Sequence, residues 1–196
     1  MALGRPRAFD RDAALEAAMQ LFWRKGFLAA SMNDLCEAMG IGSPSLYAAF
    51  GSKESLYNEA VARYNGLARE RIWRHIQDGP TIRAGMQKVL FAAADVLPAA
   101  ADKPSGCLVT LAAGEGCDGA VPDISRTGRA GSLDALRAGL RQAVADGELP
   151  KSANVERLAR FYLGVVQGMA IQARDGASSA DLKSMSKMAM AAWPEA

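Results

Sequence analysis

SPSLYAAFGSKESLY, residues 43–57, is the stretch on which the fold turns. Ser43 is a good N-cap, and Pro44 then takes the first helical position, where its missing N–H costs nothing and its fixed φ suits the turn. At about 100° per residue Leu46 and Phe50 stack on one side. Pro44, Ser45 and Ala48 point the opposite way, with Tyr47 on the flank. A helix of two turns is not stable alone, so Leu46 and Phe50 must pack on earlier helices, against Leu35, Met39, Leu21 and Phe22. The outward side is small and flat, a shape that fits a DNA major groove about 12 Å wide.

Working outward, the flanking sequence supplies those earlier helices. Asp10 caps a helix whose apolar positions Ala14, Leu15, Ala18, Leu21 and Phe22 recur at helical spacing, with Gly26 at its end. Ser31 caps a second, with Asp34 as a weaker form of capping box and Gly40 as its stop. Joined by Gly40-Ile41-Gly42, the second and third helices form a helix-turn-helix. On the far side, Gly51-Ser52-Lys53 turns into a fourth helix whose free N–H groups, together with the Lys53 ammonium, suit a phosphate. Tyr47 can donate to a second phosphate, and Arg5 and Arg7 on an N-terminal arm can follow the backbone or the minor groove. The plainer alternatives are a half-buried tyrosine, a solvated lysine and a solubilising tail.

Composition agrees with helices. The chain has 196 residues, 50% hydrophobic and 22% charged, and leans on alanine more than on β-branched residues, so an all-α protein with a real core is expected. Turn signals divide it into about nine helical segments, the later ones near 52–75, 81–97, 104–113, 124–145, 154–174 and 178–193. A net charge of +2 permits polyanion contact without demanding it. Three cysteines, with no CxxC spacing and a lone histidine, indicate neither a disulfide framework nor a metal site. No cofactor is expected. The apolar run 161–173 is too short to span a bilayer, so no membrane association and a cytoplasmic location are expected.

The run GRPRAFDRDAALEAAMQLFWRKGFLAASMNDLCEAMGIGSPSLYAAFGSKESLY, residues 4–57, resembles the DNA-binding domain of the TetR family of bacterial transcriptional repressors. SLYAAFGSKESLY is among that family's most specific segments. The resemblance implies a homodimer that binds a double-stranded DNA operator through residues 1–52. Residues 53–196 would then form a helical domain that pairs the subunits and encloses a small-molecule inducer. At the matching positions, Pro44, Ser45 and Ala48 would approach base edges, with Tyr47 and Lys53 on phosphates and Ser43 among the DNA-binding residues. SGCLVTLAAGE, DGELP and QGMAIQARDGAS carry a weaker likeness to one branch of the family. The ligand does not carry over, since inducer domains vary widely.

In the C-terminal part, Met86, Leu90, Phe91, Leu108, Leu111, Leu136, Leu140 and Tyr162 are candidates to line a pocket, each with ordinary core packing as the alternative. Thr110 and Gln167 join Tyr162 as polar candidates. For subunit pairing, Phe161, Gly164, Val165, Gly168 and Met169 make one stripe and Leu182, Met185, Met188 and Trp193 another, the makings of a two-fold four-helix interface. Pro104-Ser105-Gly106 reads as a helix start, which would favour a thiolate at Cys107 and make it a possible thiol sensor. His75 reads as a surface or interface residue. Two rival readings remain. GEGCDG, residues 114–119, matches a dinucleotide-binding fingerprint, but Ala-Val-Pro follows it where a helix should open, and two carboxylates would face the pyrophosphate. A helical interaction module without DNA would keep the fold and lose the operator.

Overall fold

The computed structural model describes residues 9–100, 103–115 and 123–194. Among them the chain forms nine α-helices: α1 Arg11–Lys25, α2 Met32–Met39, α3 Ser43–Phe50, α4 Lys53–Arg71, α5 Ile82–Val96, α6 Leu108–Leu111, α7 Ile124–Ala145, α8 Val155–Arg174 and α9 Ser179–Ala191. The described residues contain no strand, only an isolated bridge between Ala100 and Lys103. The segment CLVTLAA, which a dinucleotide fold would need as a strand, is the start of α6 and a 3-10 turn. Residues 116–119 of GEGCDG lie outside the described residues, as do Arg5 and Arg7.

Local chemistry explains most boundaries. Asp10 accepts from the amides of Asp12 and Ala13 at the start of α1, and both halves of the Ser31–Asp34 capping box close on α2. A second box, Ser178–Asp181, starts α9. At α3 the reading shifts by one residue: Gly42 is the N-cap, and Ser43 and Pro44 are the first two helical residues. The Gly42 carbonyl takes the first helical bond, from Leu46 at 3.0 Å. Pro44 still falls where no N–H is needed. Ser43, released from capping, sits with its Oγ 3.4 Å from Cys36 Sγ.

Packing divides into two cores. The first joins α1–α3 with the first three turns of α4 through Phe22, Leu35, Leu46, Phe50, Leu56 and Tyr57, and it also takes in Leu108 and Val109 of α6. Tyr57 packs edge-on against Phe22, with ring centroids 5.0 Å apart, and tilted against Phe27 at 4.9 Å. The second core gathers α5, α7, α8 and α9 around Met86, Leu90, Leu136, Leu140, Tyr162 and Met169. Cys107 packs against both.

Two segments depart from the sequence pattern because tertiary packing overrides it. The expected helix over 52–75 ends at Arg71 and becomes a 3-10 turn, Trp73–Gln77. That turn drives Ile72 and Ile76 into the second core. It also lets α5 approach so closely that a Cβ on Gly85 would lie 2.1 Å from the Ile76 carbonyl oxygen. The helix expected over 104–113 is reduced to the four residues of α6. Gly106, at φ +80°, holds the preceding turn open, and its amide bonds to the Leu97 carbonyl.

Candidate nucleic-acid interface and ligand cavity

Along α3 the two faces are cleanly separated. Leu46 is fully buried and Phe50 nearly so, while Ser43, Pro44, Ser45 and Ala48 are exposed and Tyr47 is 51% exposed. The inner face is clamped as well as packed. The Arg11 guanidinium lies 4.3 Å from the Phe50 ring centroid and pairs with Glu59 at 2.7 Å, tying α1, α3 and α4 together. Lys53 is half-buried, its Nζ 4.6 Å from the Phe27 ring centroid, so its ammonium is held near the start of α4 rather than waving in solvent. Ser52 caps that helix by accepting from Ser55 N at 3.1 Å. Glu54 sits in the same turn, where its own backbone amide, and then the Ser52 hydroxyl, hold its carboxyl below the ordinary value. A phosphate arriving there therefore meets one cation and one competing carboxylate.

A cavity of about 370 Å³ opens where α4, α6, α7 and α8 meet. Tyr64, Asn65, Arg69, Cys107, Thr110, Arg129 and Gln167 are among its polar lining residues. None of the eight residues read from sequence as pocket-lining borders it. Met86, Leu90, Leu136, Leu140 and Tyr162 are side chains of the second core. Leu108 belongs to the first, with Leu111 packed against it, and Phe91 is half-buried on α5. Tyr162 instead ties α8 to α9, donating to the Ala189 carbonyl at 3.4 Å and packing against Trp193, and burial pushes its phenol up to about 12. Of the polar candidates, Thr110 and Gln167 do face the cavity.

Cys107 lines this cavity, but not in the first turn of a helix. It is the extended N-cap of the four-residue α6. Its neighbour is the Tyr64 phenol, which burial foremost, and then the adjoining thiol, push well above its ordinary value. His75 is part of the 3-10 turn and bonds through Nδ1 to Asp78 at 2.8 Å.

Glu115 was invisible to sequence reasoning. Just past α6, its carboxylate accepts from Phe27 N at 2.6 Å and Leu28 N at 3.1 Å, in the turn between α1 and α2. A Cβ on Gly26 would fall 2.2 Å from a Glu115 carboxylate oxygen. Arg174, at the end of α8, donates to the Arg24 carbonyl at 2.8 Å, a tie to the last turn of α1 just before it. These pairs are 87, 88 and 150 residues apart, so no local periodicity announces them.

On the outer surface of α8 and α9, Phe161, Gly164 and Met188 are exposed, and Val165, Gly168 and Met185 half-buried. A Cβ on Gly164 or Gly168 would meet nothing within 4 Å, so these glycines are not there for packing within the chain. Met169, Leu182 and Trp193 point the other way and are buried in the second core. On α8, Met169 lies about 100° round the helix from Gly168.

Comparison with known proteins follows the same geometry. The profile of the bacterial regulatory proteins of the tetR family matches residues 14–60, which span α1 to the first turns of α4. The HTH-type transcriptional repressor ComR of Escherichia coli K12 is 34% identical over 199 residues, covering 98% of this chain and 92% of ComR. BdcR, another HTH-type transcriptional repressor of that organism, is 38% identical over 91 residues, 46% of each chain. A cysteine mutant of the TetR family regulator CifR, solved with a 26-bp double-strand operator DNA, superposes with a TM-score of 0.91 at 41% identity, covering 97% of this chain and all of CifR. This chain belongs to the TetR family of bacterial transcriptional regulators, and its relatives are regulators, not enzymes.

Proposed function

We propose that this protein is a cytoplasmic, ligand-responsive repressor that sits as a homodimer on a pseudo-palindromic operator. The observation that carries the reading is α3: an inner face fixed by Leu46, Phe50 and Arg11, and an outer face of small exposed residues that lets a helix enter a major groove. Ser43, Pro44, Ser45 and Ala48 meet base edges, Tyr47 and Lys53 hold phosphates, and Arg5 and Arg7 extend the footprint along the duplex. ComR and BdcR are named as repressors, and the CifR structure holds operator DNA, which supports the same role here. Residues 1–52 read the DNA, while 53–196 pair the subunits and take the inducer.

Induction requires that a ligand bind more tightly to a spacing of the two heads that DNA rejects. The surroundings of the cavity support such a coupling. Cys107 and Thr110 line the cavity from the start and the body of α6, and beyond the following 3-10 turn Glu115 grips the α1–α2 turn, whose Phe27 ring lies under Lys53. A ligand that displaces α6 thus moves a phosphate-binding group. Cys107 is the thiol that a reactive ligand would meet in the cavity.

The test is fluorescence anisotropy with the promoter DNA flanking its own gene. Lys53→Ala and Tyr47→Ala should each weaken binding, and each lost phosphate contact should lower the salt slope by about one. Unchanged affinity in both variants overturns the repressor reading in favour of an interaction module. For the thiol, N-ethylmaleimide adds across its double bond, the sulfur bonding one carbon and a proton the other. Adduct formation should reduce operator affinity in the parent and not in Cys107→Ser.

A further inference from the structure

We infer that the cavity's ligand is an amphipathic organic anion, a carboxylate or its equivalent on an apolar body. This rests on the cavity being the inducer site. Its lining carries two guanidinium groups, Arg69 and Arg129, and among the described residues no carboxylate. Neither arginine takes part in an ion pair among the described residues. Three nearby acidic groups are engaged elsewhere, and Glu70, next to Arg69 in the chain, is exposed on α4 and outside the cavity lining. Glu115, which shares the surroundings of Tyr57 with Arg129, is bound to the Phe27 and Leu28 amides. On α7, Asp123 pairs with Arg126 at 2.8 Å and Asp134 with Arg137 at 2.7 Å.

Arg129 is half-buried and already oriented, because one of its N–H groups donates to the Val109 carbonyl beside Cys107. A guanidinium has five donors in a fixed fork, so most remain for a ligand, and a carboxylate matches that fork with two parallel bonds. Asn65, Thr110 and Gln167 add amide and hydroxyl donors. The rest of the wall is apolar, with Trp73, Leu97, Leu163 and Val166 offering a surface for a hydrocarbon or aromatic body. A cation would face two like charges with no counter-charge, and a neutral apolar molecule would leave the Arg129 donors unmatched.

The test compares molecules of one shape and different charge: 4-phenylbutyrate, 4-phenylbutyramide and 4-phenylbutylamine, with decanoate as an aliphatic acid. Binding to the full-length protein is read by calorimetry and by the rise in Tm at millimolar concentration. The carboxylates should bind at least about tenfold more tightly than the amide, a difference of roughly 1.4 kcal/mol, and the amine should not bind. Arg129→Gln should lower carboxylate affinity to the level of the amide, and Arg129→Lys, which keeps charge without the fork, should recover part of it. Circular dichroism checks that both variants fold. The inference is overturned if the amide or amine binds as tightly as the acid, if neither acid binds, or if Arg129→Gln leaves acid affinity unchanged. Operator binding of the ligand-free protein is measured separately: its absence defeats the repressor reading, while the charge preference of the cavity is still read from calorimetry.

Discussion

Glu115 carries more consequence than any other single side chain whose importance the sequence concealed. Its carboxylate receives two amides of the α1–α2 turn, and hydrogen bonds to a charged group are worth about 1.5–3 kcal/mol each when buried, less here because the group is partly exposed. Glu115→Ala should therefore cost about 1–2 kcal/mol in urea unfolding and, under the proposed induction, weaken the effect of a cavity ligand on operator affinity. Gly26→Ala should do similar damage, because φ +81° with ψ 171° is glycine territory and the new Cβ would displace the carboxylate. Since one change already evicts Glu115, the double variant should be no worse than the sum and measurably better, the mark of a shared contact. Asp34 gives a pH prediction. Its hydrogen bond to Lys25, then those to the Ser31 backbone and hydroxyl, hold it far below the ordinary carboxylate value of 3.8. The proton then binds the unfolded chain more readily, so the stabilisation is complete above that value and is lost as pH falls below it. Asp34→Asn should unfold more easily at neutral pH and show a flatter decline in acid titration.

At the scale of the element, α3 is a two-turn helix whose stability is borrowed from its neighbours. Leu46 has no exposed surface and sits among Leu35, Phe22 and Met39. Leu46→Ala should cost about 2–5 kcal/mol, read as a lower urea midpoint, with loss of DNA binding as a consequence of the loosened head. Tyr47→Ala, one residue along, should change stability by only about 0.5 kcal/mol while still weakening operator binding. That contrast separates the helix's anchoring side from its reading side. Its limits were nearly legible in the sequence: glycine, serine and proline fixed where α3 begins to within one residue, and the glycine at 51 fixed where it ends. α6 was not legible, because what truncates it is the turn at Gly106, held by a bond to Leu97 on another element.

For the whole molecule, pairing in the proposed dimer would set the distance between the two copies of α3. Phe161 and Val165 on α8, with Met185 and Met188 on α9, line a groove open to solvent, joined by Asp181 and Ser184. Phe161→Glu should convert the dimer to a monomer in sedimentation velocity, keep the helical circular dichroism signal, and lower operator affinity by more than any single phosphate contact. A dimer that survives this change would place the interface elsewhere. The sequence stripe mixed two faces of α8, because Met169 follows Gly168 in the chain but lies about 100° round the helix, inside the core.

What the sequence determined by itself was most of what depends on neighbours a few residues apart: the caps at Asp10, Ser31 and Ser52, helix periods, the turn at Gly40-Ile41-Gly42, and the bare outer side of α3. These are local energies, and one segment contains both partners. Tertiary structure alone decided which apolar side chains became core and which bordered the cavity, and how the chain past α6 holds the α1–α2 turn. Those outcomes come from distant elements competing for the same space. The grip of Glu115 on Phe27 spans 88 residues, and only the packed chain brings the two together.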